Sequence, residues 1–148
     1  HQGLQEYQAP VEYGRSEIIR KGKKIAVLGV GSMIPSCMEI CKGLKDDGYD
    51  PTFVNARFVK PLDVDLLDEL AKDHSLFVTV EENVKSGGYG EHVSAYMEAC
   101  HPEIRVLSAA VWDRFVPQGN VESLRSRIGL GVEDIRQAIE DSEELREQ

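Results

Sequence analysis

The chain has 148 residues, 41% hydrophobic and 29% charged, the proportions of one globular domain with enough material for a core. Its 26 acidic and 17 basic side chains leave a net charge of −9, which argues against nucleic acid or an anionic membrane as partner. No apolar run approaches the roughly 20 residues of a membrane span, no basic-then-apolar leader opens the chain, and three cysteines make no disulfide framework, so a reducing, cytoplasmic setting is expected.

Residues 1–16, HQGLQEYQAPVEYGRS, lack sustained periodicity and read as a linker leading into a domain over 17–142, with 143–148 as a tail. The opening on His1 rather than Met reads as a piece of a longer polypeptide, although a processed chain would look the same. EIIRKGKKIAVLGVG reads as a short strand, a turn around Gly22 and a fully apolar strand at Ile25–Leu28. Ser32 is the expected N-cap of the next helix, with Pro35 tolerated in its first turn. That helix is expected to run to about Asp47, burying a stripe of Met38, Cys41 and Leu44, and to end at Gly48.

TFVNARF then reads as a strand, DVDLLDELAKDH as a helix and SLFVTVEE as a third long strand. After NVKSGGYG come a helix, EHVSAYMEACH, and a strand, IRVLSAAV. NVESLRSRIG and GVEDIRQAIED, preceded by Asn120 and Gly131, read as closing helices, and EDSEELREQ as a solvated or frayed end. Strands alternating with helices of this length predict an α/β fold, a three-layer α/β/α arrangement on a mostly parallel sheet. Ligands in such folds gather at the carboxyl ends of the strands, here the loops 29–33, 55–61, 81–90 and 108–119.

Gly29-Val30-Gly31 is the start of a dinucleotide fingerprint, which needs a third small residue where this chain has Ile34 followed by Pro35. The acidic residue that would hold a ribose is replaced by Asn55-Ala56-Arg57, of which Arg57 is suited to a 2′-phosphate. A tight strand-to-helix corner is the plainer reading. Gly87, Gly88 and Gly90 offer amides at a helix N-terminus for an anion, against the alternative of a loop that turns and packs. A positive φ expected at Gly88 would make Gly88→Val strained by about 1 kcal/mol or more.

Glu81 and Glu82 invite an acid/base reading, but neighbours on a strand point to opposite faces, so one is expected to cap or pair locally and the other to face a subunit boundary. Cys37, Cys41 and Cys100-His101 lack metal-ligand spacing and read as core cysteines. His74 and His92 read as isolated surface or capping residues. Trp112, Asp113, Arg114 and Phe115 form a cluster suited to an interface anchor or a packed corner. No catalytic, cofactor-binding or metal-binding residue is assigned to this chain.

NARFVKPLD (55–63), VTVEENVKSGGYGEHV (78–93) and DRFVPQG (113–119), with GRSEIIRKGKKIAVLGVGSM upstream and SLRSRIGLGVEDI downstream, resemble the C-terminal, transketolase-like domain of 1-deoxy-D-xylulose-5-phosphate synthase. The similarity runs from about Val11 to Ile139, and Gln118 stands where that family usually has His. Lys60-Pro61-Leu62-Asp63 and the Glu-Glu…Gly-Gly pair are shared more widely, with transketolases and 2-oxoacid dehydrogenase E1 β subunits.

The resemblance implies a parent transferase that uses thiamine diphosphate and Mg²⁺ to join pyruvate and D-glyceraldehyde 3-phosphate, releasing CO2, for isoprenoid and thiamine biosynthesis. It implies that cofactor and substrate residues lie in preceding domains. This chain would then be inactive alone, completing the fold and a homodimer, and the Gly29–Gly31 turn would serve geometry. A split transketolase or an E1 β subunit is the alternative within that group. A free-standing nucleotide- or phosphate-binding regulatory module is the alternative outside it.

Overall fold

The computed structural model describes residues 14–57, 61–82, 88–111 and 131–147. Strands β1 (Glu17–Arg20) and β2 (Lys24–Gly29) lead through a 3₁₀ turn, Gly31–Met33, into helix α1 (Ile34–Asp46). β3 (Thr52–Asn55), α2 (Val64–Ala71), β4 (His74–Glu82), α3 (Tyr89–Cys100), β5 (Arg105–Val111) and α4 (Val132–Glu147) follow. The strands form one five-stranded sheet in the order β1-β3-β2-β4-β5. β1 runs antiparallel to β3 at the edge, and every other pairing is parallel.

The continuous apolar run of β2 is what a strand covered on both faces requires. Ile25 and Val27 point to one face, into a core shared with Cys37, Ile40, Cys41 and Leu44 of α1 and Ile135 and Ile139 of α4. Ala26 and Leu28 point to the other, against Leu67 and Leu70 of α2 and Val93 and Met97 of α3. The result is the expected three-layer α/β/α domain on a mostly parallel, mixed sheet. No helix of the described residues is long and apolar enough to cross a membrane.

Several local expectations need correction. Met38 is 56% exposed, and the buried face of α1 is Cys37, Ile40, Cys41 and Leu44. A strict three-residue spacing drifts about 60° per step around a helix, so 38, 41 and 44 cannot stay on one face, whereas the i, i+3, i+4, i+7 set does. Ser32 lies inside the 3₁₀ turn, and the N-cap of α1 is Met33, which makes no side-chain capping bond. Pro35 does fall in the first turn.

The predicted second helix stops at Ala71, and His74 opens β4. His74 is buried, so it is not a surface residue, but it does cap. Its Nδ1 donates to the Leu70 carbonyl at the end of α2, 2.8 Å away. Its Nε2 lies 2.6 Å from Thr52 Oγ1, which in turn accepts the Gly22 amide at 2.8 Å. Asp73 Oδ1 lies 2.7 Å from the same Nδ1, so that nitrogen faces two acceptors.

At the opposite end of the sheet, the Asp63 side chain caps α2 through the Leu66 amide and also accepts the Ser16 amide at 2.8 Å. Ser16 Oγ donates to the Ala56 carbonyl at 2.9 Å, so the segment before β1 is strapped to the β3–α2 connection. α4 continues through the stretch read as a solvated end, and Glu143 on it is buried.

Candidate functional site

The carboxyl ends of β2 and β4 form the place where the fold most readily takes a ligand. β2 exits to α1 on one face of the sheet and β4 exits to α3 on the other, so the two strands flank a topological switch point. Both glycine turns singled out in the sequence border it, and so do Glu81 and Glu82.

Glu81 is 9% exposed and points to the α2/α3 face. Its Oε1 accepts the Tyr89 amide at 2.9 Å and its Oε2 the Gly90 amide at 2.8 Å. One carboxylate thus satisfies two amides at the N-terminus of α3, where the helix dipole favours negative charge. The anion-binding amides expected here carry an anion supplied by the chain. Burial first, then the charges of Asp63 and Glu81, pushes the Tyr89 phenol well above its ordinary range.

Gly90 permits this closeness. A Cβ built on it would lie 2.8 Å from Glu81 Oε2, 2.8 Å from Thr79 Oγ1 and 3.0 Å from Ser108 Oγ. Gly88, by contrast, has φ −81° and ψ 178°, an extended conformation open to any residue, so the strain expected for Gly88→Val has no basis. Gly87 lies outside the described residues.

The Gly29–Gly31 turn is built differently. A Cβ on Gly29 would sit 2.6 Å from Cys37 Sγ, so this glycine lets α1 pack onto the end of β2. Gly31 has φ +56° with open space around it, and needs glycine for its backbone alone. Part of the turn's backbone is already committed. Val30 donates to the Val80 carbonyl at 3.2 Å, and the Gly29 carbonyl accepts from Ala56 at 2.8 Å. Pro35 removes one amide from the helix start. Ser32 Oγ donates to Glu82 Oε2 at 2.6 Å, which puts a carboxylate beside the turn where a diphosphate would need amides.

The two acids therefore serve opposite faces, as alternation on a strand demands. Glu81 caps α3, and Glu82 accepts from Ser32, fifty positions away in sequence. Arg57, at φ +64°, pairs with Glu17 of β1 at 2.7 Å, and its amide donates to Asn55 Oδ1 at 3.1 Å. It is engaged within the sheet edge rather than turned toward the switch point.

Cys37 and Cys41 are core residues as expected, their thiols each pushed up to about 12, chiefly by burial. Cys100 is exposed, so it is not a core cysteine. Helical spacing keeps it in line with Tyr89, Val93 and Met97, so its exposure goes with its place as the last residue of α3. His101 beside it binds Asp68 Oδ1 at 2.7 Å, and the Tyr96 hydroxyl donates to the same oxygen at 2.7 Å. These two bonds strap α3 to α2 and hold the Asp68 carboxyl below its usual range, the His101 bond first.

His92 is half-buried, its Nε2 enclosed without a hydrogen-bond partner among the described residues. The described residues contain no group of three or more His, Cys, Asp or Glu arranged to hold a metal. Trp112, Asp113, Arg114 and Phe115 lie outside the described residues, as does the first closing helix.

Residues 14–135 match the family described as transketolase, C-terminal domain. The 1-deoxy-D-xylulose-5-phosphate synthase of Lachnoclostridium phytofermentans is 39% identical over 134 residues, 90% of this chain and 21% of the relative. That of Dictyoglomus thermophilum is 39% identical over 137 residues, 93% of this chain and 22% of the relative. The chain thus spans about a fifth of the length of the curated relatives it matches.

Among solved structures, a split-gene transketolase described as an inactive β4 tetramer superposes with a TM-score of 0.73 at 29% identity, covering 90% of this chain and 43% of that one. The transketolase of Campylobacter jejuni has a TM-score of 0.58 at 17% identity, covering 91% of this chain and 20% of that one, and shares the fold.

Proposed function

The chain belongs to the transketolase C-terminal domain family, and from that premise we propose that it is the non-catalytic C-terminal domain of a 1-deoxy-D-xylulose-5-phosphate synthase. The observation that carries this reading is the 39% identity to two such synthases across nine-tenths of this chain but only about a fifth of theirs. The parent would be a cytoplasmic transferase joining pyruvate to D-glyceraldehyde 3-phosphate, with thiamine diphosphate and Mg²⁺. Thiamine diphosphate supplies the electron sink for decarboxylation in such enzymes.

Among the described residues, neither glycine turn suits the diphosphate of that cofactor. At one glycine turn the amide pair is filled by Glu81, and at the other Glu82 stands beside the turn, so a diphosphate would meet carboxylates at both. The role proposed for the domain is structural: it completes the fold of the longer chain and contributes to a homodimer. Its partners would be the remaining domains of that chain and a second copy.

A second reading, the C-terminal piece of a split transketolase, is favoured by the 29% identity and TM-score of 0.73 to a split-gene transketolase. One assay separates the two. The chain alone, and the chain joined to the residues that precede it in its gene, are given pyruvate, glyceraldehyde 3-phosphate, thiamine diphosphate and Mg²⁺. Product and CO2 from the longer protein only is the expected result. Turnover by the chain alone would overturn the non-catalytic assignment. With a ketose phosphate supplied in place of pyruvate, ketol transfer to glyceraldehyde 3-phosphate without CO2 release by the longer protein would favour the transketolase.

A further inference from the structure

The amino ends of the strands, opposite the glycine turns, hold a second concave feature. A cleft of about 220 Å³ is lined by Lys23 and Lys24 at the start of β2, by Gly48, Tyr49 and Asp50 between α1 and β3, and by Glu143 of α4. That volume suits a small metabolite and is well short of a dinucleotide.

Glu143 is the informative member. It is 3% exposed, yet its Oε2 has no hydrogen-bond partner among the described residues. Arg105 Nη2 lies 3.7 Å from that oxygen, too far for a hydrogen bond, and donates instead to the Ser142 carbonyl at 2.9 Å. A buried carboxylate oxygen left without a donor is costly, and most such groups in proteins are satisfied by something.

The rim has the opposite need. Asp50 is paired with Arg20 at 2.8 Å, and neither Lys23 nor Lys24 has an ion-pair partner among the described residues. On a chain of net charge −9 this corner gathers Arg20, Lys23, Lys24 and Arg105 against Asp50 and Glu143. The lysines also complement the carbonyl end of α1, whose last turn closes at Gly48. That accounts for positive charge here but leaves the Glu143 oxygen unexplained.

We propose that this cleft binds a small hydroxylated anion, with its charged group at Lys23 and Lys24 and a hydroxyl donating to the Glu143 carboxylate. The assignment is independent of the family reading, because it rests on the cleft, the unpartnered oxygen and the unpaired lysines. One molecule supplies both missing partners: a donor for the acid and an anion for the rim.

An NMR titration of the 148-residue chain tests it, with glycerol 3-phosphate, inorganic phosphate and glycerol as separate probes. Glycerol 3-phosphate should move the amides of Lys23–Ile25, Gly48–Asp50 and Glu143, and bind at least about tenfold more tightly than phosphate or glycerol. Glu143→Met, which keeps the bulk but not the acceptor, should erase the preference for glycerol 3-phosphate over phosphate. The exposed-rim variant K23Q/K24Q leaves the buried core untouched and should weaken both anions.

Equal binding of phosphate and glycerol 3-phosphate would mean that the lysines collect ions only, and would overturn the proposal. So would undisturbed amides in the cleft with every probe, or an undiminished preference in Glu143→Met.

Discussion

The two glycine turns at the switch point look alike in sequence and differ in what fills them. At Tyr89–Gly90 the amides are held by Glu81, and the glycine is there to let the helix approach three side-chain oxygens. At Gly29–Ser32 no carboxylate caps the helix. Glu82 takes the Ser32 hydroxyl instead, and the two glycines answer a sulfur contact and a positive φ. A glycine-rich turn is thus a statement about backbone room. Whether it binds an anion depends on what already occupies its amides.

That contrast can be broken experimentally. Glu81→Ala should have the largest effect, about 2–3 kcal/mol of stability by urea denaturation, because two amides in a buried position lose their acceptor. If the loss were as small as that of an exposed ion pair, the built-in anion would not be what holds α3. Gly29→Ala comes next, at about 1–3 kcal/mol, since its Cβ would press on Cys37 Sγ. Adding Cys37→Ala should recover part of that loss, giving a favourable coupling in a double-mutant cycle. Simple additivity would refute the contact.

Gly31→Ala sharpens the distinction within one turn. It meets no neighbour and should cost only about 1 kcal/mol, through its left-handed backbone. A cost above that of Gly29→Ala would reverse the assignment of the two glycines.

The smallest effects are in the pH dependence. Burial, and Asp47 beside it, raise the Glu140 carboxyl above its ordinary 4.5, while Arg136 pulls it back. The folded protein then binds more protons than the unfolded one between 4.5 and that raised value, so stability rises as pH falls through this window. Glu140→Gln should abolish the rise in denaturation midpoint. Asp68 acts the other way: its carboxyl is lowered from 3.8, so its contribution is present above 3.8 and fades as pH falls through the folded value. Asp68→Asn should lessen the acid sensitivity in that lower range.

The layers and the parallel sheet were legible because the signals for them are repeated. The apolar run of β2, the alternation of strand and helix, Pro35 in a first turn and Asp63 before a helix all point the same way. What resisted reading depends on partners distant in sequence. Ser32 has the right chemistry for a cap, but its hydroxyl is claimed by Glu82, fifty positions on. His74 looked solitary because Thr52 and Leu70 reach it only once β3 and α2 are in place.

Nothing local distinguishes Gly90 from Gly88. Only the oxygens of Thr79, Glu81 and Ser108 beneath it do. Glu143 did leave a signal, since it continues the i, i+4 series of Ile135 and Ile139 on the buried face of α4, where an acid is easily read as solvated.

The paired acids at the end of β4 also act as a check on strand assembly. Slide β4 by one residue and the alternation of its faces inverts, bringing Val80 or Glu82 toward the amides of α3. Slide it by two and the faces are restored, but the carboxylate is displaced by about 6.6 Å, out of reach of the helix it must cap. Only one alignment gives both α3 and Ser32 their acceptors, so a chain that docks this central strand out of step is left with buried amides unmet and has reason to let go and try again.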